Sequence, residues 1–212
     1  MDELFGTLFG NTPLSQQLMY LQMELGTAIW ETIYSTIVAT FFSYVIGLPL
    51  GVILVTGEKG GVRPLPGWLM KVLNTVVNLL RSVPFLILMV MVIPLSRMIL
   101  GTSVGTTASI IPLICAAFPF VARLVEASLR ETDKGILEAA QAMGCTPMQI
   151  IRKVMLPEAL PSLLIGFTTA FITILSYGAM SGAIGGGGLG SLAINYGYQR
   201  KMYFILYVSV VI

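Results

Sequence analysis

The chain has 212 residues, 56% of them hydrophobic and only 10% charged, with a net charge of +2. Soluble domains carry about 25% charged residues, so this sequence, with a mean hydropathy of +0.88, lacks the polar surface a water-soluble fold needs. The small net charge, with no basic cluster among aromatics, excludes a nucleic-acid partner, and the lack of any histidine excludes His-based metal sites and Ser-His-Asp or Cys-His catalysis.

Residues 1–22 are mixed in character and are expected to form an N-terminal extracytoplasmic segment. They lack a basic n-region followed by an apolar core and a small-residue cleavage site, so no cleaved signal peptide is expected. Residues 23–212 are expected to form one transmembrane domain. Thr32–Gly57 is chargeless over 26 residues, enough for a first span. Gly47, Pro49 and Gly51 in its second half predict close helix packing or a kink. Residues 58–67 read as a polar turn, and Trp68 suits a membrane interface. From Trp68 to Leu80 the pattern is amphipathic, with Lys71, Asn74 and Asn78 recurring at helical spacing.

The 15 chargeless residues Ser82–Ser96 are too few to cross alone, so the second span is expected to begin well before Arg81. Asn74, Asn78 and Arg81 then share one stripe near or inside the membrane. A membrane-embedded arginine suggests function. The plainer reading is an arginine snorkelling to the interface, as long basic side chains do. Residues from Ile93-Pro94 to about Gly105 read as the next turn. Met98–Ala122 reads as the third span, with Pro112 and Pro119 as kinks.

Arg123–Glu158 is a polar island, holding ten of the 22 charged residues in 36 positions. A stretch so charged is expected to sit in water. Asp133 predicts the N-cap of a helix over Lys134–Met143, stopped by Gly144. Thr146-Pro147-Met148-Gln149 predicts a capping box opening a second helix, expected to end near Pro157. Ile136, Leu137, Ala140 and Met143 fall on one face of the first helix. On spacing alone, this is equally an ordinary amphipathic loop.

Ala159–Gln199 is chargeless over 41 residues, too long for one simple span. Pro161 to about Gly182 reads as span four, and Gly185–Gly197 as a flexible outer segment. Gly185–Gly190 satisfies G-x-G-x-x-G, but no acidic residue follows Glu158, so a dinucleotide site is rejected in favour of a bendable loop. Met202–Ile212 has eleven residues, too few to cross, and reads as an incomplete fifth span. Cys115 lies in an apolar run and Cys145 in the island, so no disulfide joins them.

The order Glu138-Ala139-Ala140, three residues, Gly144, nine residues, then Val154-Met155-Leu156-Pro157 resembles the coupling-loop signature of ABC-importer permease subunits, with Val154 where the family has isoleucine. Further stretches resemble the methionine-importer family of type I permeases. They are Gly47–Gly51, Arg81-Ser82-Val83-Pro84-Phe85, Ala142–Ile150, Ala183–Gly190 and Tyr196-Gly197-Tyr198. The resemblance implies an all-α polytopic protein of a bacterial cytoplasmic membrane. It would have about five transmembrane helices, the N-terminus outside, and a cytoplasmic helical coupling loop, 130–158, between spans three and four.

The resemblance also implies a homodimer lining a path for methionine, or else for another amino acid or small solute. Two separate ATP-binding subunits would carry ATP and Mg, and an extracytoplasmic binding protein would deliver substrate. Lipid surrounds the spans, and this chain itself would hold no cofactor, metal or catalytic residue. It has no G-x-x-x-x-G-K-[ST] sequence of its own. Carried onto this chain, the coupling residues are Glu138, Ala139, Ala140, Gly144, Leu156 and Pro157. Candidate path residues are Asn74, Asn78, Arg81, Ser176 and Tyr177.

Basic residues agree with that orientation. Eight (Lys59, Arg63, Lys71, Arg123, Arg130, Lys134, Arg152 and Lys153) fall inside, against Arg97, Arg200 and Lys201 outside, with Arg81 undecided. Two other functions compete. An ion-coupled secondary transporter needs ionisable relays within its spans, which the clear spans lack. An intramembrane enzyme needs a carboxylate pair, or a cysteine beside a base, and neither is evident.

Overall fold

The computed structural model describes residues 12–212, so the first eleven positions of the expected 1–22 segment lie outside the described residues. Every regular element among the described residues is helical. Three helices are long and apolar enough to cross a membrane: α1 (Leu14–Thr56), α4 (Thr106–Arg130) and α8, whose helical run extends over Leu160–Ile184. Between the first two lie α2 (Gly67–Ser82) and α3 (Phe85–Leu100), which together make a fourth candidate crossing, broken by a bend of 110°. After α4 come α5 (Lys134–Ala142), α6 (Pro147–Ile150), a π-helical turn over Ile151–Met155, and α7 (Leu156–Glu158). Beyond Ser181 the chain makes a 3₁₀ turn (Gly182–Ile184), α9 (Gly188–Ser191), a π-helix (Leu192–Gln199) and α10 (Tyr203–Val211).

Helix α1 has 43 residues. At 1.5 Å per residue it is about 64 Å long, twice a hydrocarbon core of about 30 Å. It begins 18 residues before the expected start at Thr32 and runs unbroken through positions 22 and 23, so Glu24 and Glu31 lie within it.

The second crossing differs from the expected continuous helix. Val83 is extended (φ −77°, ψ 129°) because Pro84 follows, and a residue before proline is driven out of helical geometry. Pro94, expected in a turn, instead lies inside α3. The turn comes later, over Gly101–Gly105, where both glycines have positive φ.

The chain forms two contact units. One comprises the chain up to Ala39, Phe85–Leu113 and Thr173–Ile212. Its core gathers Leu21, Ala28, Leu192, Met202 and Ile205. The other comprises Thr40–Pro84 and Ile114–Ile172. Its main core holds Val121, Val125, Leu129, Ala140, Ile150 and Met155. In that second unit α1 lies tightly against α4. A Cβ on Gly47 would stand 2.7 Å from the Val121 side chain, and one on Gly51 2.6 Å from the Ala122 carbonyl oxygen. These two glycines set the close approach that small residues permit between membrane helices. Bulky side chains such as Phe41, Ile87 and Ile165 remain exposed on the long helices, as a lipid-facing surface requires.

Of Gly185–Gly197, expected to be flexible, residues 185–187 form a turn and the rest, from Gly188 on, is helical. A Cβ on Gly182 would collide with the backbone of Gly190 and Ser191, and one on Gly190 with that of Ala179. Glycine here lets two backbone segments touch, rather than letting one wander. The eleven residues after Lys201 hold the short helix α10, which does not add a further crossing by length.

Candidate functional site

The 130–158 loop is built by local rules. The Asp133 carboxylate accepts from the Gly135 N–H at 2.6 Å and so caps α5. At the other end the Gly144 N–H donates to the Gln141 carbonyl (2.9 Å) and the Cys145 N–H to the Ala140 carbonyl (3.1 Å). This is a Schellman closure, and it requires the left-handed φ of +78° that Gly144 adopts. Thr146 and Gln149 form a reciprocal capping box, with Pro147 at the first helical position.

The expected stop near Pro157 does not occur. Leu156 is helical (φ −66°, ψ −44°), and helical hydrogen bonds continue from Ala159 to Met155 and from Leu163 to Ala159. The Leu156 N–H donates to the Ile151 carbonyl, five residues back. This π-type turn, placed just ahead of Pro157, absorbs the missing donor and the ring that would otherwise break the helix.

Packing also divides the α5 face read from the sequence. Ala140 is buried and Leu137 half-buried against the unit's own core of Leu129, Ile150 and Met155. Ile136 and Met143 are exposed, as are Glu138, Ala139 and Gly144. Ala140 is therefore small for the chain's own sake. The outward surface includes Ile136, Glu138, Ala139, Met143 and Met148, with Lys134, Gln141 and Gln149 exposed beside them, so apolar and polar side chains alternate there. Leu156 is half-buried and Pro157 exposed.

Above the knob lies an ionic network missed from the sequence. Arg123, expected in water with the rest of the island, is mostly enclosed, and Glu126 is only 5% exposed. The Arg123 guanidinium donates to Asn74 Oδ1 at 2.8 Å, to Asn78 Oδ1 at 3.0 Å and to Glu126 Oε2 at 2.5 Å. Glu126 also accepts from Arg130 at 2.8 Å, and Arg130 reaches Glu58 at 2.5 Å. Two cations and two anions thus balance across α2, α4 and the 58–67 turn. Arg123 and Glu126 are the enclosed pair, and charges so enclosed persist only when paired and hydrogen-bonded, whereas Arg130 and Glu58 are exposed. The available signal was the i, i+3, i+7 spacing of Arg123, Glu126 and Arg130 on one helical face.

In the other unit, Glu31 of α1 accepts from the Gly188 N–H at 2.7 Å, and the Thr32 hydroxyl accepts from the Leu189 N–H at 2.9 Å. A carboxylate and a hydroxyl thus satisfy donors at the opening of α9. Gly187 has positive φ, and a Cβ there would strike the Thr106 hydroxyl. The glycine run is a backbone junction, not a nucleotide cradle.

The five candidate path residues are divided between the two units. Asn74 and Asn78 are joined through Arg123, whereas Arg81 is exposed at the end of α2. Ser176 and Tyr177 lie on α8 in the other unit, where the Tyr177 ring stacks on Phe85 with centroids 4.4 Å apart. Among the described residues no cluster of histidine, cysteine or acidic side chains could hold a metal, and Cys115 and Cys145 are free thiols.

Residues 47–212 match the family described as binding-protein-dependent transport system inner membrane components. Over 186 residues the chain is 53% identical to a probable D-methionine transport system permease protein, MetI, of Vibrio cholerae, covering 87% of this chain and 82% of that protein. It is 48% identical over 169 residues to the D-methionine transport system permease protein MetI of Escherichia coli K12, covering 80% and 76%. Among solved structures, inward-facing conformations of the MetNI methionine ABC transporter match with a TM-score of 0.87 and 45% identity, over 90% of this chain and 88% of that one. The match runs from the close-packed glycines of α1 through the 130–158 knob to the last helix, and the chain belongs to the binding-protein-dependent transport system inner membrane component family.

Proposed function

We propose that the chain is the membrane-spanning subunit of an ATP-driven methionine importer, working as a homodimer with two ATP-binding subunits and an extracytoplasmic binding protein. As a family member it is a multi-pass inner-membrane transport subunit and not itself an enzyme. Relatives named for D-methionine transport, at 48% and 53% identity, support the substrate. The observation that carries the coupling role is the knob of α5 and α6, which exposes Ile136, Met143 and Met148 and is joined on its inner side to the core of its unit.

ATP and Mg belong to the partner subunits in this reading. Glu138, Ala139 and Gly144 then present the docking surface, with Met143 and Met148 filling the partner's groove. Ala140 and Leu156 join the knob to Leu129 and Met155, while Pro157 lies in the helical path that leads into α8. A push on the knob is carried as rigid-body movement into α4 and α8, the kind of domain-scale switch that alternates access. The 130–158 loop would face the cytoplasm and the N-terminus the outside.

The test is uptake of labelled methionine by a methionine-requiring strain without importers of its own, supplied with this subunit, its ATPase and its binding protein. Uptake that depends on ATP and survives ionophores is expected. Entry of another amino acid in its place would leave the importer and remove the substrate. Uptake abolished by ionophores alone would favour an ion-coupled carrier.

A further inference from the structure

The second unit holds a cavity of about 700 Å³ between the last turns of α1, the start of α2 and the π-turn after α6. Its walls are almost wholly apolar: Leu48 and Val52 come from α1, Leu69 and Leu73 from α2, Ile151 and Leu156 from the π-turn and α7. Two cations, Arg63 and Arg152, also line it, and no acidic side chain does. Both arginines are exposed, and neither enters the ion pairs among the described residues. The one nearby acid of the 58–67 turn, Glu58, is taken by Arg130.

Depth fits an interface. Leu48 lies eight residues from the end of α1, so the apolar wall runs about 12 Å along the axis before the polar turn that holds Arg63. Trp68, strongly exposed in the first turn of α2, stands where interfacial tryptophans stand.

We propose that this groove holds an anionic phospholipid, its acyl chain along the α1–α2 wall and its phosphate across Arg63 and Arg152. A zwitterionic lipid would bring no net negative charge to the two arginines, whereas an anionic one offsets part of their charge. A guanidinium matches phosphate geometry in a way a single ammonium does not, and basic pockets between membrane helices are read by anionic headgroups. Because Ile151, Arg152 and Leu156 belong to the segment leading out of the knob, the lipid braces the element that carries the coupling movement. The binding itself does not depend on the substrate being methionine.

The experiment uses the whole transporter, permease with ATPase, in nanodiscs of phosphatidylcholine containing a minority of phosphatidylglycerol. After extraction, native mass spectrometry counts the lipid retained. The unaltered complex should hold phosphatidylglycerol well above its bulk share. Arg63→Gln with Arg152→Gln should cut that enrichment by at least about tenfold, since even one hydrogen bond to a charged group is worth about that factor. Arg63→Lys with Arg152→Lys should restore part of it, and Arg97→Gln should leave it unchanged. Val52→Trp, which fills the apolar wall with both arginines in place, should also lower it. Millimolar inorganic phosphate should not displace the lipid; displacement would mean a simple anion site and overturn the proposal. Undiminished enrichment in the double glutamine variant overturns it too. So does loss of the ATPase subunit from that variant with lipid retention intact, which would make the ATPase the occupant.

Discussion

At the scale of single residues, Gly144 and Arg123 mark what sequence reasoning can and cannot reach. The demand on Gly144 is local: a helix that closes with a Schellman pair needs a left-handed residue there, and that is legible from Gly144 itself. A Cβ at Gly144 would meet open space, so Gly144→Ala adds only backbone strain, about 1–2 kcal/mol. That variant should lower the melting temperature of the purified permease–ATPase complex modestly and keep measurable uptake. Gly144→Arg adds the same strain and a long charged side chain on the docking face. It should abolish uptake while the protein stays in the membrane, and normal uptake would refute the docking role. Arg123 was hidden because its amide partners lie 45 and 49 residues away. No window of sequence joins them. With Glu126→Ala, Arg123 loses its enclosed counter-charge, and the complex should lose about 3 kcal/mol of stability. Replacing both, as Arg123→Met with Glu126→Leu, should recover part of that loss in the same melting measurement. A double variant no better than Glu126→Ala would mean the enclosed charge is not the source of the cost.

Whole elements were legible where hydrogen bonding is local and obscure where packing decides. The caps at Asp133 and Thr146 follow from side chains reaching backbone donors two or three residues on. The helical path through Pro157 did not follow, because the proline rule describes an α-helix and the chain switches to a π-turn just before it. Gly185–Gly197 was misread for a related reason. Glycine signals conformational freedom in an isolated peptide, but here its lack of a side chain creates a contact. That distinction yields a paired prediction on one hairpin of backbone. Gly190→Ala puts a Cβ into the Ala179 carbonyl, and something in the junction must shift. Gly178→Ala, at the residue next to Ala179 but facing open space, meets nothing within 4 Å. Membrane yield and detergent-resistant assembly should collapse for the first and stay near the parent level for the second. Equal behaviour of the two would show that the junction is loose enough to serve as a hinge.

For the molecule as a whole, orientation and selectivity each carry an expected outcome. With the 130–158 loop in the cytoplasm, the half-buried Cys145 should react with a membrane-impermeant thiol reagent in inverted vesicles and not in intact cells, while Cys115 within α4 stays protected in both. Labelling of Cys145 in intact cells would reverse the topology. Selectivity follows from what the candidate path can offer a zwitterion, which needs partners for both its ammonium and its carboxylate. The amide oxygens of Asn74 and Asn78 are already held by the Arg123 guanidinium. The Glu31 carboxylate, placed within α1, is engaged with the Gly188 N–H. The Tyr177 ring is stacked on Phe85. Arg81 is left as an exposed cation, able to attract a carboxylate, and among the described residues it enters no ion pair with an acid. Such a path passes its substrate weakly, and weak sites release quickly, as transport needs. In the importer proposed above, discrimination then rests with the binding protein that would deliver the substrate. Exchanging that protein for one of different specificity, with this subunit and its ATPase unchanged, should therefore shift which labelled amino acid enters. If uptake instead stays confined to methionine whichever binding protein delivers, the path itself selects. Arg81→Gln should then raise the methionine concentration for half-maximal uptake, with ATP hydrolysis intact.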